Sequence, residues 1–127
     1  MKTHVVNPYV FVGLNHLTQT KIRSSVNPQV QPLVIMQIVS EMCNVTVDEM
    51  LSKTRIREVV DARQLYCFIM REKFGFPLSK IGRSINRDHA TAIHSIKQHT
   101  NRCDVMKNYQ DLTHKTFLKV NDVLSKL

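Results

Sequence analysis

The chain has 127 residues, 43% of them apolar, which suits one domain with a modest core. It contains no apolar run of about eighteen residues, which excludes a predicted membrane-spanning helix, and Asn7, Pro8 and Asn15 break up the start where a signal peptide would need an apolar stretch. The net charge is +8, and residues 53–102 hold most of it, with eleven Lys/Arg against four Asp/Glu; that imbalance favours a polyanionic partner through counterion release.

Residues 1–32 form an N-terminal extension of unassigned role. It holds Pro8, Pro28 and Pro32 and the apolar, β-prone patch Tyr9-Val10-Phe11-Val12. The domain proper is expected over residues 33–127. A first helix is predicted from about Leu33 to Cys43, because Val34, Ile35, Ile38, Val39 and Met42 recur at helical spacing. Asn44 is its expected stop. Thr46 and Glu49 have capping-box spacing, which predicts a short helix over roughly Val47 to Ser52. Lys53-Thr54-Arg55-Ile56-Arg57 is a basic connector.

The next helix is predicted from about Glu58 to Lys73. Val59, Ala62, Tyr66 and Ile69 form its apolar stripe, broadened by Leu65 and Phe68, while Arg63, Gln64 and Arg71 are expected on other faces. Gly75 and Pro77 end it. Tyr66, Phe68, Phe74 and Phe76 are expected in the core rather than as base-stacking groups. A short helix, Ser79 to Ile85, leads through a tight turn into a second, Asp88 to about His99, with Ala92, Ile93 and Ile96 facing inward. A last helix is expected over roughly Asp104 to Ser125, with Val105, Tyr109, Leu112, Phe117, Val120 and Leu124 on its apolar face. The fold class is therefore all-α. The three cysteines, Cys43, Cys67 and Cys103, form no CxxC pair and read as reduced, small hydrophobes of a cytoplasmic protein.

The short helix and its successor read as a helix-turn-helix. In such a unit the second helix enters the DNA major groove by its N-terminal residues. Asp88 can cap that helix and accept from a cytosine amino group, His89 can bond a base edge, and the Ala90 methyl suits a thymine methyl. Thr91 and the helix N-terminus can hold a phosphate, and Arg87 can reach the backbone. Arg63, Gln64 and Arg71 suit phosphate contacts, which position without specifying. Arg55 and Arg57 lie on a basic arm of the kind that places arginine in a narrow, AT-rich minor groove.

Ala62-Arg63-Gln64, then Leu78-Ser79-Lys80-Ile81-Gly82, then Arg87-Asp88-His89-Ala90-Thr91-Ala92-Ile93-His94 resemble the C-terminal DNA-binding domain of the bacterial replication initiator DnaA. The resemblance covers roughly residues 34–125. It implies an all-helical, Trp-repressor-like domain with a long C-terminal helix, binding short AT-rich boxes in replication initiation or its regulation. It also implies base contacts from Arg55, Asp88, His89 and Ala90, and phosphate contacts from Arg63, Gln64, Arg71, Ser79, Thr91 and His94; Arg57 on the basic arm and Arg87 before the second helix are expected to add phosphate contacts from their own positions.

Two features depart from the family pattern. Ala90 stands where Thr is usual, and the turn Ser84-Ile85-Asn86 is one residue shorter than the usual form with two glycines. A third is the missing P-loop: the only glycines are Gly13, Gly75 and Gly82. The expectation is a stand-alone, nucleoid-associated DNA-binding domain that is not an enzyme and takes no nucleotide or other cofactor. His89, His94 and His99 recur at five-residue steps, which turn about 140° apart on a helix and do not converge on a metal. Expected partners are duplex DNA and, beyond it, the initiator or other replication proteins. Two other readings stand beside this one: a transcription regulator on the same fold, and a protein-interaction module acting on replication proteins.

Overall fold

The computed structural model describes residues 30–126, which form six helices and, among the described residues, no strand. The helices are α1 (Pro32–Cys43), α2 (Val47–Leu51), α3 (Arg57–Glu72), α4 (Leu78–Ser84), α5 (His89–Val105) and α6 (Lys107–Ser125). The all-helical class read from the sequence is the one observed. The apolar patch at Tyr9–Val12 and all but the last residues of the N-terminal extension lie outside the described residues.

The helix boundaries follow local chemistry. Pro32 starts α1, where its missing N–H costs nothing. Asn44 ends it in the left-handed conformation at φ 57°, with its amide donating to the Glu41 and Ser40 carbonyls. The predicted capping box at α2 is complete: the Glu49 amide donates to Thr46 Oγ1 at 3.0 Å, and the Thr46 amide donates to Glu49 Oε1 at 2.9 Å. Gly75, at φ 65°, turns the chain out of α3.

α3 is the central helix, packed by α1, α2, α4 and α5. Every residue from Ala62 to Met70 is buried. Burial of Leu65, Phe68, Ile69 and Met70 contributes on the order of 1.5–3 kcal/mol per side chain. The full burial corrects one expectation: Arg63 and Gln64 do not project to solvent but are 8% and 6% exposed. Tyr66, Phe68, Phe74 and Phe76 are all core residues, as their setting implied.

α5 also differs from expectation. It runs on to Val105 instead of stopping near His99. The reason is that Ser95, His99 and Cys103 extend a buried stripe at four-residue spacing beneath the polar Thr100-Asn101-Arg102. Met106, with extended backbone at φ −124°, then breaks the chain, so Val105 ends α5 and is 76% exposed instead of joining the apolar face of α6.

Side-chain bonds lock α3, α5 and α6 together. Arg102 on α5 pairs with Asp61 on α3 at 2.7 Å and also donates to Gln64, while the Tyr109 hydroxyl of α6 donates to Asp61 at 3.0 Å. Deeper in the same seam, His99 Nε2 bonds Thr113 Oγ1 at 2.7 Å and the imidazole packs on Phe68, centroids 4.9 Å apart. Burial, reinforced by the Arg102 charge, depresses the His99 pKa from 6.5 to about 4. The three cysteines form no disulfide, and burial raises the thiol pKa to about 11 at Cys43 and about 12 at Cys67, which removes these two from thiolate chemistry at neutral pH.

Two predictions come from this packing. A Cβ on Gly82 would stand 2.7 Å from the Asp88 carbonyl carbon and 2.9 Å from the Arg87 oxygen, both rigid backbone. Gly82→Ala should therefore lower stability by about 1–3 kcal/mol in urea denaturation; an unchanged midpoint would show that the turn is not this tightly closed. His99 is neutral when folded and its folded pKa lies below its unfolded one. Its contribution is thus full above about pH 6.5 and is lost as pH falls toward 4. Between pH 6.5 and 5 the wild type should lose about 1–2 kcal/mol that His99→Gln does not. Parallel pH profiles for the two proteins would refute the assignment.

Candidate nucleic-acid interface

The helix-turn-helix comprises α4, the turn Ile85–Asp88 and α5. Asn86 supplies the left-handed residue of the turn at φ 62°, a conformation that asparagine tolerates and that the glycines of longer turns otherwise provide. The Arg87 amide donates back to the Gly82 carbonyl at 2.7 Å and closes the turn on α4. The shorter turn noted in the sequence is thus a closed and hydrogen-bonded one.

Asp88 caps α5. Its Oδ1 accepts from the Thr91 amide at 2.9 Å, and this bond, with a second from the Thr91 side chain, holds the carboxyl below the usual carboxylate range. Thr91 itself is half-buried. His89, Ala90 and His94 are exposed. Ala90, His94, Lys97 and Asn101 fall on one exposed stripe of α5, opposite the buried Ala92, Ser95, His99 and Cys103. His89 and His94 therefore lie outside while His99 lies in the core.

The arginines expected to meet phosphates do something else first. Arg63 reaches from α3 into the connector and donates to four backbone carbonyls: Met50 at 2.8 Å through Nε, Thr54 at 2.8 Å, Glu49 at 3.1 Å and Ser52 at 2.6 Å. Four of its five N–H groups are used in this way. Arg87, from the helix-turn-helix, donates to the same Ser52 carbonyl at 2.8 Å and to Ile85 and Asn86. The Asn86 side-chain amide donates to Leu51 at 3.3 Å. Burial, and then the neighbouring Arg87 charge, lower the Arg63 pKa from its ordinary value.

Other expected contacts are distributed as follows. Gln64 accepts from Arg102 inside the α3–α5 seam. Arg71 donates to the Phe76 carbonyl at 3.0 Å and steadies the chain leading into α4. Ser79 is exposed in the first turn of α4. Arg57 is exposed at the start of α3, and its charge is felt at Tyr109. Arg55 is exposed on the connector.

The pinned connector and the turn enclose a cleft of ≈ 620 Å³ lined by Lys53, Thr54, Arg55, Val60, Arg63, Asn86 and Arg87. Arg55, Arg63 and Arg87 are thus brought together, whereas Gln64 and Arg71 lie elsewhere. Lys53 and Asn86 were not singled out from the sequence. Lys53 belongs to the same basic run as Arg55, so its signal was present. Asn86 had none, because its part depends on the left-handed turn. Lys97 was also missed, and its three-residue step from His94 is the signal that places it on the exposed stripe.

Known proteins give this arrangement a family. The family described as bacterial dnaA protein helix-turn-helix matches residues 32–98, more than half of the chain. The chain is 34% identical over 113 residues to the chromosomal replication initiator protein DnaA of Bacteroides fragilis, covering 84% of this chain and 24% of that protein. It is 31% identical over 102 residues to that of Ureaplasma parvum, covering 80% and 21%, and 30% identical over 95 residues to that of Spiroplasma citri, covering 74% and 21%. The chain thus spans about a quarter of the length of these curated relatives. The family match begins at the first residue of α1 and runs through the connector, the turn and the exposed stripe of α5, and on that ground the chain belongs to the bacterial DnaA helix-turn-helix family.

Proposed function

We propose that this chain binds duplex DNA in a sequence-specific manner at AT-rich initiator boxes and acts in replication initiation or its regulation. The observation that carries this reading is the connector. Arg63 and Arg87 tie it down beside the helix-turn-helix, so that Arg55 stands on a fixed arm close to the N-terminus of α5. A minor-groove arginine and a major-groove helix N-terminus then have a set separation, as reading two adjacent grooves of one duplex requires.

On this reading Arg55 enters the minor groove, while Asp88, His89 and Ala90 face bases in the major groove. The exposed His89 can donate to a base edge, and the Ala90 methyl can meet a thymine methyl without the hydroxyl that Thr would add. Arg57, Ser79, Thr91 and His94 contact phosphates, with Lys97 extending that row. Arg63, Arg71 and Arg87 serve the interface mainly by fixing protein backbone, with Arg63 and Arg87 adding charge behind the contact, and Gln64 serves it by bonding Arg102 between α3 and α5. DNA-bound, the protein acts in the cytoplasm at the nucleoid, alongside the initiator or other replication proteins.

Fluorescence anisotropy with a box-bearing duplex and a scrambled duplex of equal composition, at two salt concentrations, tests the proposal. The box should be preferred at both salts, and Arg55→Ala and His89→Ala should each weaken box binding by roughly 1–3 kcal/mol and narrow the preference. Equal binding of both duplexes by the wild type and both variants would refute direct readout.

A further inference from the structure

The cleft beside the connector has an electrostatic imbalance that the protein itself does not correct. Four of its lining residues are cationic, namely Lys53, Arg55, Arg63 and Arg87, and no carboxylate among the described residues lines it. The bonds that Arg63 and Arg87 make there go to backbone carbonyls, which are neutral. They satisfy the donors and leave the charge. Among the acids close along the chain, Glu49 closes the α2 capping box, Asp61 is held by Arg102 and Tyr109, Asp88 caps α5, and the exposed Glu58 does not line the cleft. Two guanidinium groups held side by side on one carbonyl oxygen repel each other at short range, where solvent screening is weak. Lys53 and Arg55, both exposed on the cleft wall, add further donors.

An anion relieves that repulsion. One singly charged ion does not match four cations around ≈ 620 Å³, whereas two linked phosphate groups carry several charges and many acceptor oxygens in a compact unit. We infer that the cleft is a binding site for paired phosphate groups, filled by neighbouring phosphates of a DNA strand when the connector docks and by a free oligophosphate otherwise. The inference rests on the proposed DNA-binding role for its first occupant only. Its consequence is regulatory: free compounds bearing a diphosphate compete with duplex DNA for the connector. Lys53 bonds the oxygens directly with either occupant, Arg55 bonds those of the free oligophosphate and turns to the minor groove when duplex DNA docks, and Arg63 and Arg87 supply the positive floor.

The test uses the full chain and inorganic pyrophosphate as the probe, at constant ionic strength. Calorimetric titration without DNA should show saturable binding to one site, at least fivefold tighter than orthophosphate. Lys53→Gln and Arg55→Gln should each weaken it fivefold or more, and Lys119→Gln, on the exposed side of α6, should not. Pyrophosphate should also raise the apparent Kd of the box duplex more than sodium chloride of equal ionic strength. No saturable binding, or equal weakening by all three variants, would overturn the site. Binding without competition would overturn the shared occupancy. Because the calorimetry contains no DNA, failure of duplex binding in the anisotropy experiment bears on the proposed function and leaves the pocket to be judged separately.

Discussion

The carbonyl oxygen of Ser52 accepts hydrogen bonds from two arginines that come from different parts of the fold. One is Arg63 on the central helix and the other is Arg87 in the helix-turn-helix. Much of the remaining architecture follows from that convergence. A connector of basic residues, with no regular structure of its own, would be mobile if left to itself, because its like charges repel. Here its carbonyls are gathered by the guanidinium of Arg63, a planar fork whose five donors suit several acceptors at once. A lysine at that position would carry the same charge without the geometry.

The energetic logic is that of any buried polar group. Arg63 can lie within the helical core only because its donors are met, and the connector carbonyls can turn inward only because Arg63 meets them. Each side of the exchange makes the other tolerable. The charge that remains is not cancelled, and it is held next to the surface from which Arg55, His89 and Ala90 project. Positioning of the arm and the local positive field therefore have one origin. Behind this, Asp61, Arg102 and Tyr109 fix α3 against α5 and α6, so the arm and the exposed stripe of α5 are referred to the same rigid helix.

The sequence made the elements legible wherever a local rule governs them. Thr46 and Glu49 announced α2, Asn44 the end of α1, and Asp88 the start of α5, because caps act within three residues. The helix-turn-helix could be read from its spacing, down to Gly82. The fate of Arg63 and Gln64 could not. Helical periodicity marks an apolar stripe, and charged residues off that stripe read as solvent-facing. It does not show that α3 is covered on several sides, nor that a distant stretch of backbone supplies the acceptors. The end of α5 was misplaced for a related reason. Read from sequence alone, the helix ends near His99, and only the packing of His99 and Cys103 against α6 shows why it continues.

The central claim is that Arg63 holds the connector in one conformation by geometry and not by charge alone. Backbone order parameters for residues 53–56, from nitrogen relaxation on wild type and Arg63→Lys, test it most directly. In the wild type they should approach the rigid value of about 0.85 found in helices, and in the lysine variant they should fall below about 0.6 while those of α3 hold. A connector already mobile in the wild type, or equally ordered in both proteins, would contradict the account.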